Sequence, residues 1–480
     1  MEVIIPDTNM AAIMPQIILT IGACVVLLLS VFAHSTRKYL GYLSALTCIA
    51  ALANTFMIWD INQTVFAGMI TINAYSNAFN MIILISATLI TLVTHDAVDD
   101  HKVGEFFSIV LISTLGMMIM ASSQNLLVIF LGLEILSIGL YVLIGMNRAR
   151  IHSLEAALKY FLLGAFASGF FLYGISLTYG TTGSFDLVKI SRYLQANNML
   201  GDPLMLSALA MLLIGFGFKV ALVPFHMWSP DVYQGAPAPI TGFIATAPKA
   251  AAFAAFARVF VEAFAPLHID WSTILYWICI ITMITGNLLA LIQTDIKRML
   301  AFSSIAHAGY IIMAILAGPK LADSNPGLSA NSIVFYVMVY SLMNLTAFSI
   351  IYIFESREGR NLKVENFAGF GAKYPMLSVG MTIAMLSLAG IPLTGGFIAK
   401  LQIFSAAIDA GYVGLTIVAV ITALISVYYY LNVLVKMYFS EPEEPLEDVE
   451  VSKATSLALM LSSAGIIVLG VLPSLMMKLM

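Results

Sequence analysis

Charge is what this sequence has least of. Only 10% of its 480 residues are Asp, Glu, Lys or Arg, against 60% hydrophobic, where a water-soluble domain carries about 25% charged residues. An ordinary wet surface is therefore excluded, and most of the outside must face lipid. Cysteine is scarce too. Cys24, Cys48 and Cys279 stand singly in apolar runs, so no CxxC or CxxH spacing supports an iron–sulfur cluster or a structural zinc. There is no glycine-rich phosphate loop and no dinucleotide fingerprint. If redox chemistry drives this chain, its centres belong to other chains. The net charge is −4, with no basic patch for nucleic acid and no water-facing stretch long enough for a separate domain.

What is abundant is apolar runs of membrane length. A bilayer core of about 30 Å needs about 20 apolar residues per helix. That window predicts an all-α polytopic membrane protein with about fourteen transmembrane helices, at 12–33, 40–59, 72–94, 105–122, 125–146, 153–180, 203–226, 239–263, 271–292, 298–317, 329–354, 375–408, 412–437 and 454–477. The first run lacks a small-residue cleavage site and reads as a retained helix rather than a signal peptide. Loops after odd-numbered spans hold Arg37, Lys38, Lys102, Arg148, Arg150, Lys297, Arg298, Arg357, Arg360, Lys363, Lys373, Lys436 and Lys453. The other side holds only Lys189, Arg192, Lys320 and Lys478. The positive-inside rule puts the odd loops in the cytoplasm and both termini outside. The acidic run from Glu441 to Glu450 reads as a solvated loop.

Five basic residues remain, Lys159, Lys219, Lys249, Arg258 and Lys400, all within predicted spans, and Glu134 joins them in span five. A charge at the bilayer centre costs about 3 kcal/mol on insertion scales, so each must face protein or water. Glu134 has no other charge for ten residues on either side; a structural ion-pair partner is its plainer reading. Lys219 lies five residues before Pro224, which interrupts a helix by removing a donor and clashing with the preceding turn. Broken membrane helices survive only where protein or water satisfies the freed backbone, and transporters place binding groups there. Lys400 repeats the arrangement after Gly390, Pro392, Gly395 and Gly396. Lys249 follows Pro248 among small residues that allow close helix approach. For Lys159, snorkelling to the headgroups is a fair rival, and for Arg258, near a helix end, it is the preferred reading. His307, one turn after Ser303 and Ser304, takes up and releases protons near neutral pH; a lone satisfied histidine is its plainer reading. His226 and Asp231 read as caps or loop anchors.

Lysines suit proton transfer because burial penalises an ammonium while a nearby carboxylate favours it. Moving the partner then loads or discharges the lysine, and a row of such groups passes protons sideways. Position along the chain suggests two inverted five-helix repeats, 105–263 and 271–437, each with a broken helix in fourth place (near Pro224 and Pro392), flanked by 1–94 and 454–480.

The stretch GFKVALVPFHMWSPDVYQGAPAPITGFIATAPKAAAF at 217–253, TDIKRMLAFSSIAHAGY at 294–310 and LAGIPLTGGFIAK at 388–400 resemble the antiporter-like subunits of complex I, the proton-translocating NADH–quinone oxidoreductase. The resemblance runs over essentially the whole chain, and the absence of a long lateral helix is similar to the shorter N-type form. It implies a multi-pass protein of the bacterial inner membrane that couples electron transfer in partner subunits to proton pumping. It implies that Glu134 and Lys219 form the functional pair, that Lys249 connects, that Lys400 releases the proton, and that Lys159 and His307 are auxiliary. It implies no cofactor in this chain, with NADH, flavin, iron–sulfur clusters and quinone held by partner subunits, and other membrane-arm subunits as neighbours. Ala399, where the family pattern expects glycine, is a small departure. Short versions of these motifs also occur in Mrp-type cation/proton antiporters and membrane hydrogenases, which form the alternative; an inert spacer is a third reading.

Overall fold

A computed structural model describes residues 9–95, 98, 102–325, 327–358, 362–442, 446 and 448–479, with the side chains of 356–358 left out. Arg360, the side chain of Arg357 and part of the 441–450 acidic run therefore lie outside the described residues.

The helices follow in the order α1 (Met14–Phe32), α2 (Leu40–Met57), α3 (Ala74–Thr94), α4 (Val103–Ser122), α5 (Leu126–Gly145), α6 (Ile151–Thr182), α7 (Leu187–Asn197), α8 (Pro203–Val220), α9 (Trp228–Gly235), α10 (Ala238–Ala245) and α11 (Ala247–Ala257). Then come α12 (His268–Leu291), α13 (Ile296–Leu321), α14 (Leu328–Glu358), α15 (Phe370–Lys373), α16 (Pro375–Ala389), α17 (Gly395–Asp409), α18 (Val413–Phe439), α19 (Lys453–Val471) and α20 (Ser474–Met477). Starts are marked by side-chain caps. Asn73, Asn125, Asp186, Asp202, Asp295 and Ser452 each accept from a backbone N–H of the first turn, meeting donors that a helix cannot satisfy itself.

Among the described residues, thirteen helical stretches are long and apolar enough to cross a membrane. The fourteenth expected span, 375–408, is divided between α16 and α17. The 203–226 span is likewise shorter as a helix, ending at Val220 and resuming at Trp228. A further interruption at Thr246 divides the 239–263 span into α10 and α11, the latter continued by a π-helical turn at Arg258–Ala263. Two elements were not anticipated: the surface helix α7, and an antiparallel hairpin of β1 (Gln63–Val65) and β2 (Ile70–Ile72) joined through residues of positive φ at Phe66, Ala67 and Gly68.

Burial sorts the helices. α3, α10, α11, α13 and α14 are enclosed almost throughout, whereas α1, α6, α12, α18 and α19 each leave an apolar face exposed. The enclosed helices pack on one another: α14 meets α3, α10, α13, α16, α17 and α19, and α11 meets α3 and α4. In a lipid setting the exposed apolar faces are the expected outer surface, and ionisable groups collect on the inner helices.

Candidate proton-transfer axis

The two expected breaks are built alike. At the end of α8, Ala221 takes a left-handed conformation (φ 63°), its N–H reaching Phe218 O at 3.1 Å while Leu222 N–H reaches Gly217 O at 2.7 Å. At the end of α16, Gly390 (φ 85°) donates to Ser387 O at 3.0 Å and Ile391 donates to Leu386 O at 3.0 Å. Both are Schellman ends, in which a left-handed residue folds its own N–H and that of the following residue back onto the last turn. The lysines lie on opposite sides of their breaks. Lys219 belongs to the last turn of α8, and Lys400 reaches back from α17.

Lys219, Lys249 and Lys400 are 4%, 2% and 6% exposed. Each is held by oxygens. Lys219 Nζ donates to Ser137 Oγ at 2.9 Å and Tyr160 OH at 3.2 Å. Tyr160 stacks on Trp228, centroids 4.6 Å apart, and Trp228 Nε1 donates to Phe218 O at 2.8 Å, tying α9 to the end of α8. Lys249 donates to Ser304 O at 3.1 Å and also to Ser304 Oγ. Lys400 donates to Leu388 O and Ala389 O, both at 2.9 Å, and lies 5.7 Å from the Tyr310 ring centroid. Ala399 beside it is buried and helical, so its methyl fits without disturbing α17. Gly396 is different: a Cβ there would collide with the Ser387 carbonyl.

The middle of the line runs along α13. Ser303, Ser304, His307 and Tyr310 share one face by helical spacing. Ser304 Oγ is met by Lys249, by Tyr340 OH at 2.7 Å and by Tyr233 OH at 3.2 Å. His307 lies between Tyr336 OH (2.7 Å from Nδ1) and Tyr430 OH (3.2 Å from Nε2), and Ser303 also bonds Tyr430. Asn287 donates to Tyr310 OH at 3.2 Å and accepts from Tyr429 OH at 3.0 Å, and Tyr310 OH donates to Thr422 Oγ1 at 3.3 Å. Between Lys249 on α11 and Lys400 on α17, hydroxyls and the His307 imidazole gather about α13, a helix that is buried along its length.

Glu134, on α5, is half-buried, and its Oε1 accepts from Ser168 Oγ of α6 at 2.5 Å. Lys159 is set apart. Its side chain is 43% exposed and pairs with Glu155 (2.7 Å) and Asp231 (2.8 Å), and Asp231 also binds Arg298 at 2.7 Å. Glu155, Lys159 and Asp231 rim a cavity of ≈ 270 Å³ with His152 and Gln234. Asp231 thus anchors the segment after the break, as its position suggests.

Two assignments change. Arg258 does not snorkel: it is 2% exposed, donates to Ser123 O at 3.0 Å and lies 5.0 Å from the Tyr75 ring centroid. The loop after α4 supplies an acceptor that hydropathy cannot anticipate. Lys297, counted as a loop charge, begins α13 fully buried, donating to Glu355 Oε1 at 2.8 Å and Ala236 O at 2.9 Å. Glu355 also accepts from Ala238 N–H at 2.9 Å and Arg150 at 3.4 Å, beside a cavity of ≈ 340 Å³. Glu355 and the tyrosines escaped the sequence reading; the former falls just past a predicted span end, and the latter come from helices distant in sequence. Among the described residues, no group of three or more His, Cys, Asp or Glu is arranged to hold a metal ion.

Residues 123–426, which contain every group in this line except Tyr429 and Tyr430, match the NADH:quinone oxidoreductase/Mrp antiporter transmembrane family. The chain belongs to that family. The NADH-quinone oxidoreductase subunit N of Trichlorobacter lovleyi is 41% identical over 98% of this chain and 96% of its own. A chain of respiratory complex I from Thermus thermophilus, solved with bound aureothin, matches with TM-score 0.81 and 34% identity over 97% of this chain and 98% of its own. A chain of the Mrp complex from Dietzia sp. matches with TM-score 0.84 over 98% and 96%, but at 18% identity it shares the fold alone. As a family member the chain is an antiporter-like, multi-pass membrane subunit of the NADH–quinone oxidoreductase type.

Proposed function

We propose that this chain carries protons across a bacterial inner membrane as the N-type subunit of NADH–quinone oxidoreductase, with Glu134, Lys219, Lys249, His307 and Lys400 passing them along its interior. The observation that carries this reading is that three lysines, each within 6% of full burial, are held only by hydroxyl and carbonyl oxygens inside helices of membrane length. Charges so placed are costly unless function retains them. Lys159, exposed among acids, serves proton uptake from the cytoplasmic side. The repeats at 105–263 and 271–437 supply one half-channel each, a reading supported by their matching helix ends.

NADH, flavin, iron–sulfur clusters and quinone belong to other subunits, which this chain joins in the membrane arm. The asymmetry of Lys and Arg between loops favours both termini on the periplasmic side. A part in a Mrp-type antiporter is the second reading, favoured by the fold shared with the Dietzia chain and disfavoured by the high identity to a subunit N. Co-purification with NADH-oxidising subunits distinguishes the two.

The test is Lys219→Ala in the assembled complex, with proton uptake and NADH oxidation measured in inverted vesicles. The expected outcome is a marked fall in protons moved per electron with the complex intact. An unchanged ratio refutes the lysine path. Glu134→Gln, which keeps size and removes charge, is expected to lower the ratio as well.

A further inference from the structure

No ion pair among the described residues joins Glu134 to Lys219. Ser168 touches Glu134 and shares a cavity wall with Lys219. On α5, Glu134, Ser137 and Tyr141 share a face at i, i+3 and i+7, and α6 turns Gly164 and Ser168 toward it. Gly164 must lack a side chain, because a Cβ there would meet the Tyr141 hydroxyl. One turn on, Ser168 donates its hydroxyl to Glu134 Oε1.

Ser168 also lines a cavity of ≈ 10 Å³ whose wall includes Ser137, Tyr141, Phe218 and Lys219. That volume is about one water molecule's room, and in a mostly apolar wall the hydroxyls of Ser137, Tyr141 and Ser168 and the Lys219 ammonium are the polar groups that would hold one. An ammonium has three donors. Two of those on Lys219 are taken by Ser137 and Tyr160, which leaves one for the cavity. The Ser168 oxygen keeps a lone pair for the same space while its proton points to Glu134.

Building on the proton-carrying role proposed above, we propose that Ser168 is the relay through which Lys219 and Glu134 exchange a proton. Lys219 passes one proton to a water in the cavity. That water passes one of its own to Ser168 Oγ, and Ser168 gives its hydroxyl proton to Glu134 Oε1. Lys219 ends as a neutral amine and Glu134 as a neutral acid. The water and the serine regain their composition, and no electron moves. Return transfer runs the same bonds in reverse, so the pair is switched without either side chain crossing the gap.

The test uses the whole complex in inverted vesicles, with Ser168→Ala, Ser168→Thr and Lys219→Ala side by side. Ser168→Ala is expected to lower protons per electron as far as Lys219→Ala does, and Ser168→Thr, which restores the hydroxyl, to recover most of the loss. In infrared difference spectra, the carboxyl band that Glu134→Gln abolishes is expected to shift in Ser168→Ala, because its donor has gone. A normal ratio in Ser168→Ala, with Lys219→Ala impaired, overturns the relay and leaves the lysine path standing. A normal ratio in Lys219→Ala removes the reading beneath it. A Ser168→Thr variant as impaired as Ser168→Ala, or an unmoved carboxyl band, assigns Ser168 to packing and also overturns the relay.

Discussion

Lys400 closes the end of the helix in front of it. Its ammonium reaches back from α17 to Leu388 O and Ala389 O at 2.9 Å each, two carbonyls that α16 leaves without an acceptor's partner where it stops at Gly390. The side chain assigned to proton release therefore also holds the break together. Replacing it with Met is expected to lower protons per electron and to loosen the break. Each buried carbonyl left bare costs about 1–3 kcal/mol. Faster backbone hydrogen exchange at 390–396, together with a lower melting temperature, checks the structural half of this prediction.

Ser304 is a junction. Lys249, Tyr233 and Tyr340 all meet its hydroxyl. Ser304→Ala is expected to reduce pumping more than Tyr340→Phe, which removes one hydrogen bond of about 0.5–1.5 kcal/mol net. Proton-to-electron ratios for the two variants decide it, and equal ratios would show that Lys249 does not work through this serine.

The Lys297–Glu355 pair predicts stability rather than pumping. Removing one partner of a buried pair costs about 3–5 kcal/mol, whereas replacing both with apolar residues is often neutral. Glu355→Leu is thus expected to lower the amount of assembled complex, and Lys297→Met with Glu355→Leu to restore much of it. Quantifying assembled complex on native gels tests this.

Outside the membrane, Lys373 pairs with Asp448 at 2.5 Å, and that hydrogen bond raises the lysine above its usual 10.5. A raised lysine contributes fully below its unfolded value and loses that contribution only as pH climbs through the folded one. The tie is therefore expected to be constant between about pH 6 and pH 9, where lysine stays charged, and to weaken in high salt because both groups meet solvent. Limited proteolysis at Glu450, with Lys373→Ala as the comparison, reads it out.

The sequence showed the spans, because length and hydropathy are local, and it showed Glu134, Lys219, Lys249 and Lys400, because a charge in an apolar run is conspicuous. It did not show Tyr336, Tyr340 and Tyr430 beside His307, since an aromatic in a membrane helix looks the same facing lipid or facing a histidine. Arg258 and Lys297 were misplaced for a shared reason. Both lie at span ends, where a one-turn difference decides between headgroup and interior. Ser168 had no signal at all, being one small polar residue on a long helix whose importance comes from what α5 and α8 bring to it.

The oxygens around the two break-side lysines differ in kind. Those holding Lys219 belong to a serine and a tyrosine, which can take a proton on one side and surrender another. Those holding Lys400 are amide carbonyls, which have nothing to surrender. On the proposed path, the first station offers groups that pass protons in both directions, whereas the carbonyls at the second only hold the ammonium, which makes a terminus out of a backbone fold.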